Sequence, residues 1–473
     1  MLRTTLLAAA IVFAPVASDA QQPTARPNIL VVIADDWSSP HAGILGDPVV
    51  KTPTFDRVAR EGVLFRNAFV AAPSCTPSRA SLLTGRAIHQ LEEGGNLWGF
   101  LPPKFSTYPD LLEAAGYTVG FTRKGWGPGD FKVGGRTRNP AGNQFASFAE
   151  FYKQAPKDKP FCFWFGSNDP HRPYDEGSGA RSGMNASDVR VPAFLPDAPA
   201  TRSDILDYYF EVQRIDREAG EIIAMLESAG QLDNTFVVFT SDNGMPFPRA
   251  KANLYDGGTH VPLAIRFPSR AKAGRTTDDF VVLTDLAPTI LEAAGLKVPA
   301  EMTGRTLMPL LGGERQSGRD RVFLERERHA QVRRGDLGYP ARAIRTMDFL
   351  YIRNFHPDRW PAGDPEMYVS VGPFGDIDGG PTKDFVLQRR DDPAIARYFN
   401  LATAKRPAEE LYDLRRDPQQ LENVAEKREY KDAKTRLQRD LLDWMLKTHD
   451  PRASGNADPW DRYPYYGPPG RDR

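Results

Sequence analysis

Short, unbroken apolar runs recur along much of the chain, and each has the length of a β-strand. The run at 28–34 reads Asn-Ile-Leu-Val-Val-Ile-Ala. Its β-branched residues and its lack of polar alternation are typical of a strand that is buried on both faces of a parallel sheet. Similar apolar runs follow at 63–69, 117–122, 161–165, 236–240 and 261–267.

Segments with helical character alternate with these runs. They lie at 56–61, 107–115, 203–229 and 283–294, and glycines at positions 116 and 230 provide stop signals for two of them. Strands that alternate with helices predict an α/β fold with a doubly wound sheet. We interpret residues 21–338 as one large domain of this kind.

The pattern changes from about residue 339. Residues 342–352 suggest a hairpin, 357–383 form a long loop rich in Gly, Pro and Asp, and 410–414 have the pattern of a short strand. Residues 430–445 then place apolar side chains on one face of a helix. We predict that residues 339–473 form a smaller α+β subdomain, with a small antiparallel sheet and a helix, whose tail from residue 451 is irregular coil.

The first twenty residues have the features of a signal peptide. Arg3 supplies the positive start, residues 6–17 the apolar run, and Ser-Asp-Ala at 18–20 a small-residue cleavage site. The run is too short to span a bilayer, and no cysteine follows the cleavage point to carry a lipid. The expectation is therefore a secreted or periplasmic protein without a membrane anchor.

Charge and cysteine content narrow the possible functions. The 61 basic and 61 acidic residues balance, so no overall field favours nucleic acid or a membrane surface. Only two cysteines, Cys75 and Cys162, occur among 473 residues, although exported proteins commonly use disulfides. Cys162 falls inside the apolar run at 161–165. We expect the fold to be held by its core.

Polar residues follow several of the predicted strands directly. Asp35 and Asp36 follow the first run, and Asp242 and Asn243 follow the run at 236–240. Ligands of α/β sheets bind beyond the carboxyl ends of the strands, so these side chains are expected to converge. Their hard oxygen atoms suit Ca²⁺ or Mg²⁺. The alternative is that acidic residues at strand ends only begin solvated loops.

One segment places a cysteine in a turn that is rich in Pro and Ser. Residues 73–86 read Pro-Ser-Cys-Thr-Pro-Ser-Arg-Ala-Ser-Leu-Leu-Thr-Gly-Arg, and a helix is predicted to open at Pro77. A lone cysteine is usually a small buried apolar residue. Here Cys75 has polar neighbours, a nearby helix N-terminus and Arg79 one turn away, which are conditions that activate a cysteine.

This segment, from Cys75 to Arg86, resembles the signature of the type I sulfatases. The resemblance implies an alkaline-phosphatase-like fold, in which a large mixed sheet is flanked by helices and a smaller C-terminal subdomain follows. It also implies that a formylglycine-generating enzyme oxidises Cys75 to formylglycine, whose hydrated aldehyde is the nucleophile. The family holds Ca²⁺, rather than Mg²⁺, with residues that match Asp35, Asp36, residue 75, Asp242 and Asn243.

The resemblance gives roles to further residues. It makes Lys124 and Lys251 binders of the sulfate group, and His171 a contact of the substrate oxygen that protonates the leaving group. Arg79 would hold the formylglycine diol. Without the resemblance, either lysine is interpreted as a solvated charge and His171 as a structural loop residue.

The chain departs from the family pattern after Lys124. The family has a histidine nearby that assists breakdown of the sulfated intermediate, whereas this chain reads Lys-Gly-Trp-Gly-Pro at 124–128. Asp130 and His41 are the possible replacements. Among the other histidines, 89 and 260 are interpreted as structural, 329 or 356 could line the cleft, and 449 has no catalytic signal.

Several stretches are similar to the heparan N-sulfatase branch of the family. They lie at 195–202, 240–248, 253–255, 410–414, 417–418 and 448–451. The favoured hypothesis is a carbohydrate sulfatase that acts on N-sulfo or O-sulfo groups. A phosphoester or phosphonate hydrolase of the same superfamily and a non-catalytic glycan-binding relative are the alternatives. The sugar, the sulfated position, exo or endo action and the oligomeric state stay open.

Overall fold

The computed structural model describes residues 26–369, 372–455 and 458–467. The predicted signal peptide at 1–20 lies outside these ranges. Within them, none of the helices combines the length and apolar character that crossing a lipid bilayer requires. The strands are β1 Asn28–Ala34, β2 Val63–Phe69, β3 Thr118–Arg123, β4 Asn143–Phe145, β5 Phe161–Gly166, β6 Thr235–Ser241, β7 Leu263–Arg266, β8 Arg275–Val282, β9 Arg321–Arg326, β10 Ala341–Thr346, β11 Phe349–Asn354 and β12 Glu409–Asp413.

The helices lie between these strands and after them. They are α1 Pro53–Glu61, α2 Cys75–Thr84, α3 Tyr108–Ala114, α4 Phe148–Gln154, α5 Ser178–Arg181, α6 Pro199–Ser228, α7 Asp256–Thr259, α8 Leu286–Ala293, α9 Met308–Gly312, α10 Pro381–Gln388, α11 Ala396–Thr403, α12 Lys431–Lys447 and α13 Pro459–Arg462. The sequence predicted one loop over residues 357–383, but helix α10 begins within it. Pro381 lies in the first turn of this helix, a position that proline favours.

The large sheet has the strand order β4-β3-β5-β1-β6-β7-β2-β8. The central strand β1 pairs in parallel with β5 on one side and β6 on the other. The β7 strand runs antiparallel to both of its neighbours, so the sheet is mixed. This arrangement confirms the predicted α/β class and places the carboxyl ends of β1, β5 and β6 at one edge.

Both faces of the sheet are covered. Alternate residues of β1 enter two different cores, with Val31 in the core on one face and Val32 in the core on the other. Every residue of β1 is buried. The uninterrupted apolar sequence of this strand is therefore explained by its position between two layers of helices.

A four-stranded antiparallel sheet in the order β12-β11-β10-β9 forms the core of the smaller subdomain. Helix α12 packs Leu437, Leu441 and Met445 into the core beside it, as its pattern predicted. The first strand of this sheet, β9, lies before residue 339. The domain boundaries themselves stay a prediction.

The expectation of irregular coil from residue 451 was wrong. The chain there forms a short 3₁₀ turn and helix α13, and Trp460 is 1% exposed. The main-chain oxygen of Trp460 accepts a hydrogen bond of 2.8 Å from Asn96 Nδ2. Composition rich in Pro, Gly and Tyr suggested coil, but burial of this indole fixes the segment against the large domain.

A buried ionic network connects the tail to the smaller sheet. Arg342 is fully buried and lies 2.6 Å from Asp450, 2.8 Å from Glu327 and 3.3 Å from Glu325. The neighbouring Arg452 pairs with Glu327 at 2.7 Å. Buried carboxylates of this kind depend on their cations, because no water replaces a lost partner.

Replacing Arg342 with Met is therefore expected to lower the free energy of unfolding by about 3–5 kcal/mol, because three buried carboxylates lose a cation. Urea titration of both proteins measures the loss. The exposed Arg390, which lies 3.9 Å from Asp391, supplies the matched control Arg390→Met, with an expected change near zero. Equal effects of the two substitutions would contradict a stabilising role for the network.

Candidate active site

Two neighbouring strands of the large sheet end side by side and present acidic residues. Strand β1 ends at Ala34 and is followed by Asp35 and Asp36, while β6 ends at Ser241 and is followed by Asp242. The Asp36 main-chain N–H donates to Asp242 Oδ1 at 3.1 Å. Asp36 adopts a positive φ of 80°, which turns the chain sharply after the strand.

Cys75 lies at the first position of helix α2, beside these carboxylates. Its Sγ is 3.5 Å from Asp35 Oδ1, and the residue is 2% exposed. Burial raises the pKa of the Cys75 thiol well above its usual value. An unmodified thiol at this position is therefore protonated at neutral pH and is a weak nucleophile.

Four residues each place one potential metal-ligand atom within 4.8 Å of the ligand atoms of the other three. We call these four residues the acidic cluster. Its members are Asp35, Asp36, Cys75 and Asp242. Burial, together with the neighbouring carboxylates, outweighs Lys251 and raises the pKa of Asp36 to about 6. Carboxylates crowded in this way are stabilised by a bound cation.

The side-chain amide of Asn243 also has the arrangement expected of a metal ligand. Its Nδ2 donates to Asp36 Oδ1 at 2.9 Å, whereas its Oδ1 is buried and has no hydrogen-bond partner within the described residues. A buried acceptor without a partner costs about 1–3 kcal/mol. The amide oxygen and the carboxylates of the acidic cluster are the hard donors that Ca²⁺ and Mg²⁺ prefer.

Arg79 lies on the next turn of α2 and is fully buried. Its Nε donates to Asp242 Oδ2 at 2.7 Å, and its NH1 donates to the carbonyl oxygens of Lys124 and Gly125 at 2.9 and 2.8 Å. Its NH2 is 3.8 Å from Asp35 Oδ1 and has no hydrogen-bond partner among the described residues. Arg79 therefore joins the two strand ends and still has one donor free.

Two lysines complete the set of cations around the acidic cluster. Lys124 Nζ lies 2.6 Å from both carboxylate oxygens of Asp35, and Lys251 Nζ lies 2.7 Å from Asp36 Oδ2. Burial opposes the charge of both lysines, but the surrounding carboxylates raise the pKa of each. Both side chains are therefore cations at neutral pH and can bind an anion in this low-dielectric site.

His171 is the most open of the residues that the sequence singled out. Its Nδ1 forms a hydrogen bond of 2.6 Å with the Arg172 carbonyl oxygen, which fixes Nδ1 as the donor. Its Nε2 is 3.9 Å from Asp36 Oδ2, and its side chain is 36% exposed. Arg172 holds the loop through two hydrogen bonds of 2.8 Å to Asp204. The Nε2 atom therefore faces both the acidic cluster and solvent.

A cavity of about 700 Å³ opens onto these groups and is lined by Asp35, Lys124 and His171, together with Trp98 and Trp126. A cleft of this size, with aromatic walls and a few charged groups at its base, can hold a small polar ligand. The structure thus brings together the residues to which the family resemblance gave catalytic or metal-binding roles. Their chemical roles are a separate question.

The proposed replacements for the missing histidine do not lie among these groups. His41 Nδ1 is 3.0 Å from both Asp47 and the Tyr209 hydroxyl, and Asp130 accepts hydrogen bonds from its own loop. Trp126 is 3% exposed and packs into the core on one face of the sheet. Position 126 therefore supplies no acid or base to the site.

His329, one of two histidines that the sequence predicts as possible cleft residues, contacts the residue that precedes Cys75. Its Nδ1 is 2.8 Å from Ser74 Oγ. Ser74 is the N-cap residue of α2, but its side chain makes no capping bond to the helix. The other candidate, His356, instead pairs with Asp458 at 2.8 Å.

Asp378 is the residue near the acidic cluster that sequence reasoning missed. It lies in the loop before α10, and its Oδ2 is 3.0 Å from Lys251 Nζ. Burial opposes its ionisation, but Lys251 and two nearby histidines hold the pKa of Asp378 below its usual value. No local pattern distinguishes it from the other acidic residues of the loop, so only tertiary packing reveals its position.

The sequence of this chain is similar to those of known sulfatases. A family model described as Sulfatase matches residues 27–296, and a model described as N-sulphoglucosamine sulphohydrolase, C-terminal, matches residues 249–364. The human N-sulphoglucosamine sulphohydrolase is 32% identical over 478 residues, covering 90% of this chain and 91% of that protein. An ulvan-active sulfatase of Formosa agariphila is 28% identical, covering 90% and 81%.

The architecture is also found in solved structures. A protein in complex with its substrate D-glucosamine-2-N,6-O-disulfate aligns with a TM-score of 0.66 at 19% identity, covering 90% of this chain and 98% of that one. At this identity the alignment shows a shared fold. It agrees with the large mixed sheet and the smaller antiparallel sheet described above.

Proposed function

The chain belongs to the sulfatase family, and on that premise we propose that it releases sulfate from a sulfated amino sugar, with N-sulfoglucosamine as the first candidate substrate. The similarity to the human N-sulphoglucosamine sulphohydrolase over 90% of the chain supports this choice, and so does the match to the C-terminal model. A polysaccharide O-sulfatase is the second candidate, since an ulvan-active sulfatase is similar over the same share of the chain.

The observation that carries the proposal is the position of residue 75. Its Sγ belongs to the acidic cluster, yet burial keeps the thiol protonated. A protonated thiol next to carboxylates has no evident chemistry of its own. Conversion of Cys75 to formylglycine by a formylglycine-generating enzyme would place oxygen atoms there instead, which suit a hard cation.

Asp35, Asp36, Asp242 and Asn243, together with residue 75, would hold the ion, and the orphaned Asn243 Oδ1 supports that assignment. Bound Ca²⁺ and the hydrated aldehyde would together supply a nucleophilic hydroxyl at neutral pH. We expect Ca²⁺ rather than Mg²⁺, because Ca²⁺ accepts a larger and less regular set of oxygen ligands.

The surrounding side chains would then act on the substrate. Lys124 and Lys251 would bind the sulfuryl oxygens and offset the charge that develops on them. Arg79 would orient residue 75 with its free NH2 donor. With both ring nitrogens protonated, His171 would donate the Nε2 proton to the leaving atom, because its ring lines the cavity while Nδ1–H is held by a carbonyl oxygen.

We also propose that residues 1–20 direct export and are removed near Ala20, which would place the enzyme in the periplasm or outside the cell. N-terminal sequencing of the protein purified from its native host tests this. A mature chain that starts at or near residue 21 agrees with export, and an intact Met1 contradicts it.

The substrate assignment is tested by measuring free sulfate released from N-sulfoglucosamine and from glucosamine 6-O-sulfate. The protein is produced together with a formylglycine-generating enzyme, and the phosphate released from a phosphate monoester is measured in parallel. Release from the N-sulfated sugar supports the first candidate, and release from the O-sulfated sugar alone supports the second. Greater turnover of the phosphate ester than of either sugar would overturn the proposal.

The metal assignment predicts that Ca²⁺ raises the melting temperature. A ligand at 100 times its dissociation constant stabilises the folded state by about 2.7 kcal/mol. Differential scanning calorimetry with EDTA or with Ca²⁺ measures the shift, and Asn243→Ala should lose most of it. The exposed Asn400 supplies the control Asn400→Ala. A shift that is equal in the two variants would exclude Asn243 as a ligand.

A further inference from the structure

Asp378 is a charged residue of the site that the proposed chemistry leaves without a role. It does not belong to the acidic cluster, and it reaches the site from the loop that precedes α10. We propose, building on the sulfamate hydrolysis suggested above, that Asp378 makes this site selective for nitrogen-bound over oxygen-bound sulfate. Its carboxylate would stabilise the positive charge that the sulfamate nitrogen carries once it has been protonated and before the amine departs.

The position of Asp378 fits a group that contacts the leaving atom. One ligand atom of each of Asp378, His171 and Asp36 lies within 4.8 Å of the other two. His171 is the proposed donor to the leaving atom, so that atom must lie close to Asp378 as well. Within the described residues, the Asp378 carboxylate accepts a hydrogen bond only from Lys251, which leaves lone pairs for a ligand.

Before an ion binds, the carboxylates around residue 75 are already matched by an equal number of cations without Asp378. The described cations closest to the acidic cluster are Arg79, Lys124 and Lys251, and they face the carboxylates Asp35, Asp36 and Asp242. Asp378 is thus an additional negative charge in a pocket that must accept an anion. Such a charge weakens sulfate binding unless it faces a positive part of the substrate.

Sulfamates and sulfate esters differ in the charge of their leaving atom. In a sulfamate, the nitrogen first accepts a proton and becomes positively charged. As the oxygen on residue 75 then bonds to sulfur, the N–S bond breaks, its electron pair returns to nitrogen and the amine leaves neutral, so the nitrogen still carries part of the positive charge in the transition state. When the S–O bond of an ester breaks, the pair stays on oxygen, which becomes negative until it is protonated. A carboxylate next to the leaving atom therefore stabilises the first transition state and destabilises the second.

If Asp378 had a purely structural role, its substitution would affect the activities on different substrates in another way. If the carboxylate served only to hold Lys251 in place, its loss would impair every sulfated substrate to the same extent. Selectivity, by contrast, changes the ratio of activities on two substrates within one protein. That ratio is independent of the fraction of folded or matured enzyme, so it separates the two roles.

The experiment measures kcat/KM of the mature, Ca²⁺-loaded enzyme for N-sulfoglucosamine and for 4-nitrophenyl sulfate. We expect Asp378→Asn to lower the value for N-sulfoglucosamine about 10- to 100-fold and to leave the value for the ester unchanged or higher. Asp378→Glu should restore part of the loss. The exposed Asp384, on the following helix, gives the control Asp384→Asn, which should change neither value.

A binding measurement keeps the inference testable if the ester is a poor substrate. Glucosamine, an ammonium ion at neutral pH, should inhibit the wild type more strongly than glucose, and Asp378→Asn should abolish this difference. An equal loss on both substrates, or an unchanged preference for glucosamine, would overturn the role of Asp378. A wild type that releases no sulfate from N-sulfoglucosamine would instead refute the proposed function itself.

Discussion

Replacement of Cys75 with Ala is expected to abolish sulfate release while leaving the fold intact. The side chain at this position is proposed to supply the nucleophile, and the other members of the acidic cluster are carboxylates that are proposed to hold the metal ion. Loss of a nucleophile in comparable hydrolases lowers kcat by several orders of magnitude, so we expect a decrease of at least about 10⁴-fold. The measurement is the rate of free sulfate production at saturating substrate.

The chain contains its own control for this substitution. Cys162 is also buried, but it lies inside β5, where it pairs with Ile29 of the central strand. Cys162→Ala removes the same atoms from the core and should keep nearly full activity with a small loss of stability. Comparable activity in the two variants would show that residue 75 is not the nucleophile.

Replacement of Lys251 with Met should be the next most damaging change. Lys251 is buried between Asp36 and Asp378 and is proposed to bind a sulfuryl oxygen. Removing one charge-stabilising donor from a preorganised site costs about 2.7–4 kcal/mol, which corresponds to a decrease of about 10²- to 10³-fold in kcat/KM. The same substitution at Lys124 should have an effect of similar size.

The exposed Lys104, which pairs with Glu92 at 2.6 Å, supplies the control for both lysines. Lys104→Met should leave kcat/KM unchanged, because surface ion pairs contribute little. Urea titration of each variant separates loss of catalysis from loss of fold. A folded Lys251→Met protein whose kcat/KM stays within about threefold of wild type would contradict the role in transition-state stabilisation.

The centre of the large sheet could be predicted because its sequence is unambiguous. Residues 28–34 are buried on both faces and are apolar throughout, and the observed strand has the predicted bounds. Strand β8 was not predicted, because its sequence Arg-Thr-Thr-Asp-Asp-Phe-Val-Val belongs to an edge of the sheet and mixes buried with exposed positions. An edge strand pairs on one side only, so polar residues are tolerated in it. These residues interrupt the apolar run from which a strand would be predicted.

Some residues of the candidate site could likewise be predicted from the sequence, and others could not. The residues at 35, 36, 242 and 243 follow parallel neighbouring strands, so their convergence was predictable from the order of the elements. Asp378 and His329 approach from loops beyond the sheet, and their contacts with Lys251 and Ser74 depend on how the two parts of the chain pack together. Local sequence contains no information about such packing.

The central claim is that residue 75, once oxidised, performs the hydrolysis. The most direct test is to prepare batches of the enzyme with different degrees of maturation and to measure two quantities in each. Mass spectrometry of the peptide that contains residue 75 gives the fraction that carries the aldehyde, and the release of sulfate from N-sulfoglucosamine gives the rate. We expect the rate to be proportional to the aldehyde fraction, so that the batches fall on a straight line through the origin. A rate that does not depend on the aldehyde fraction would contradict the claim.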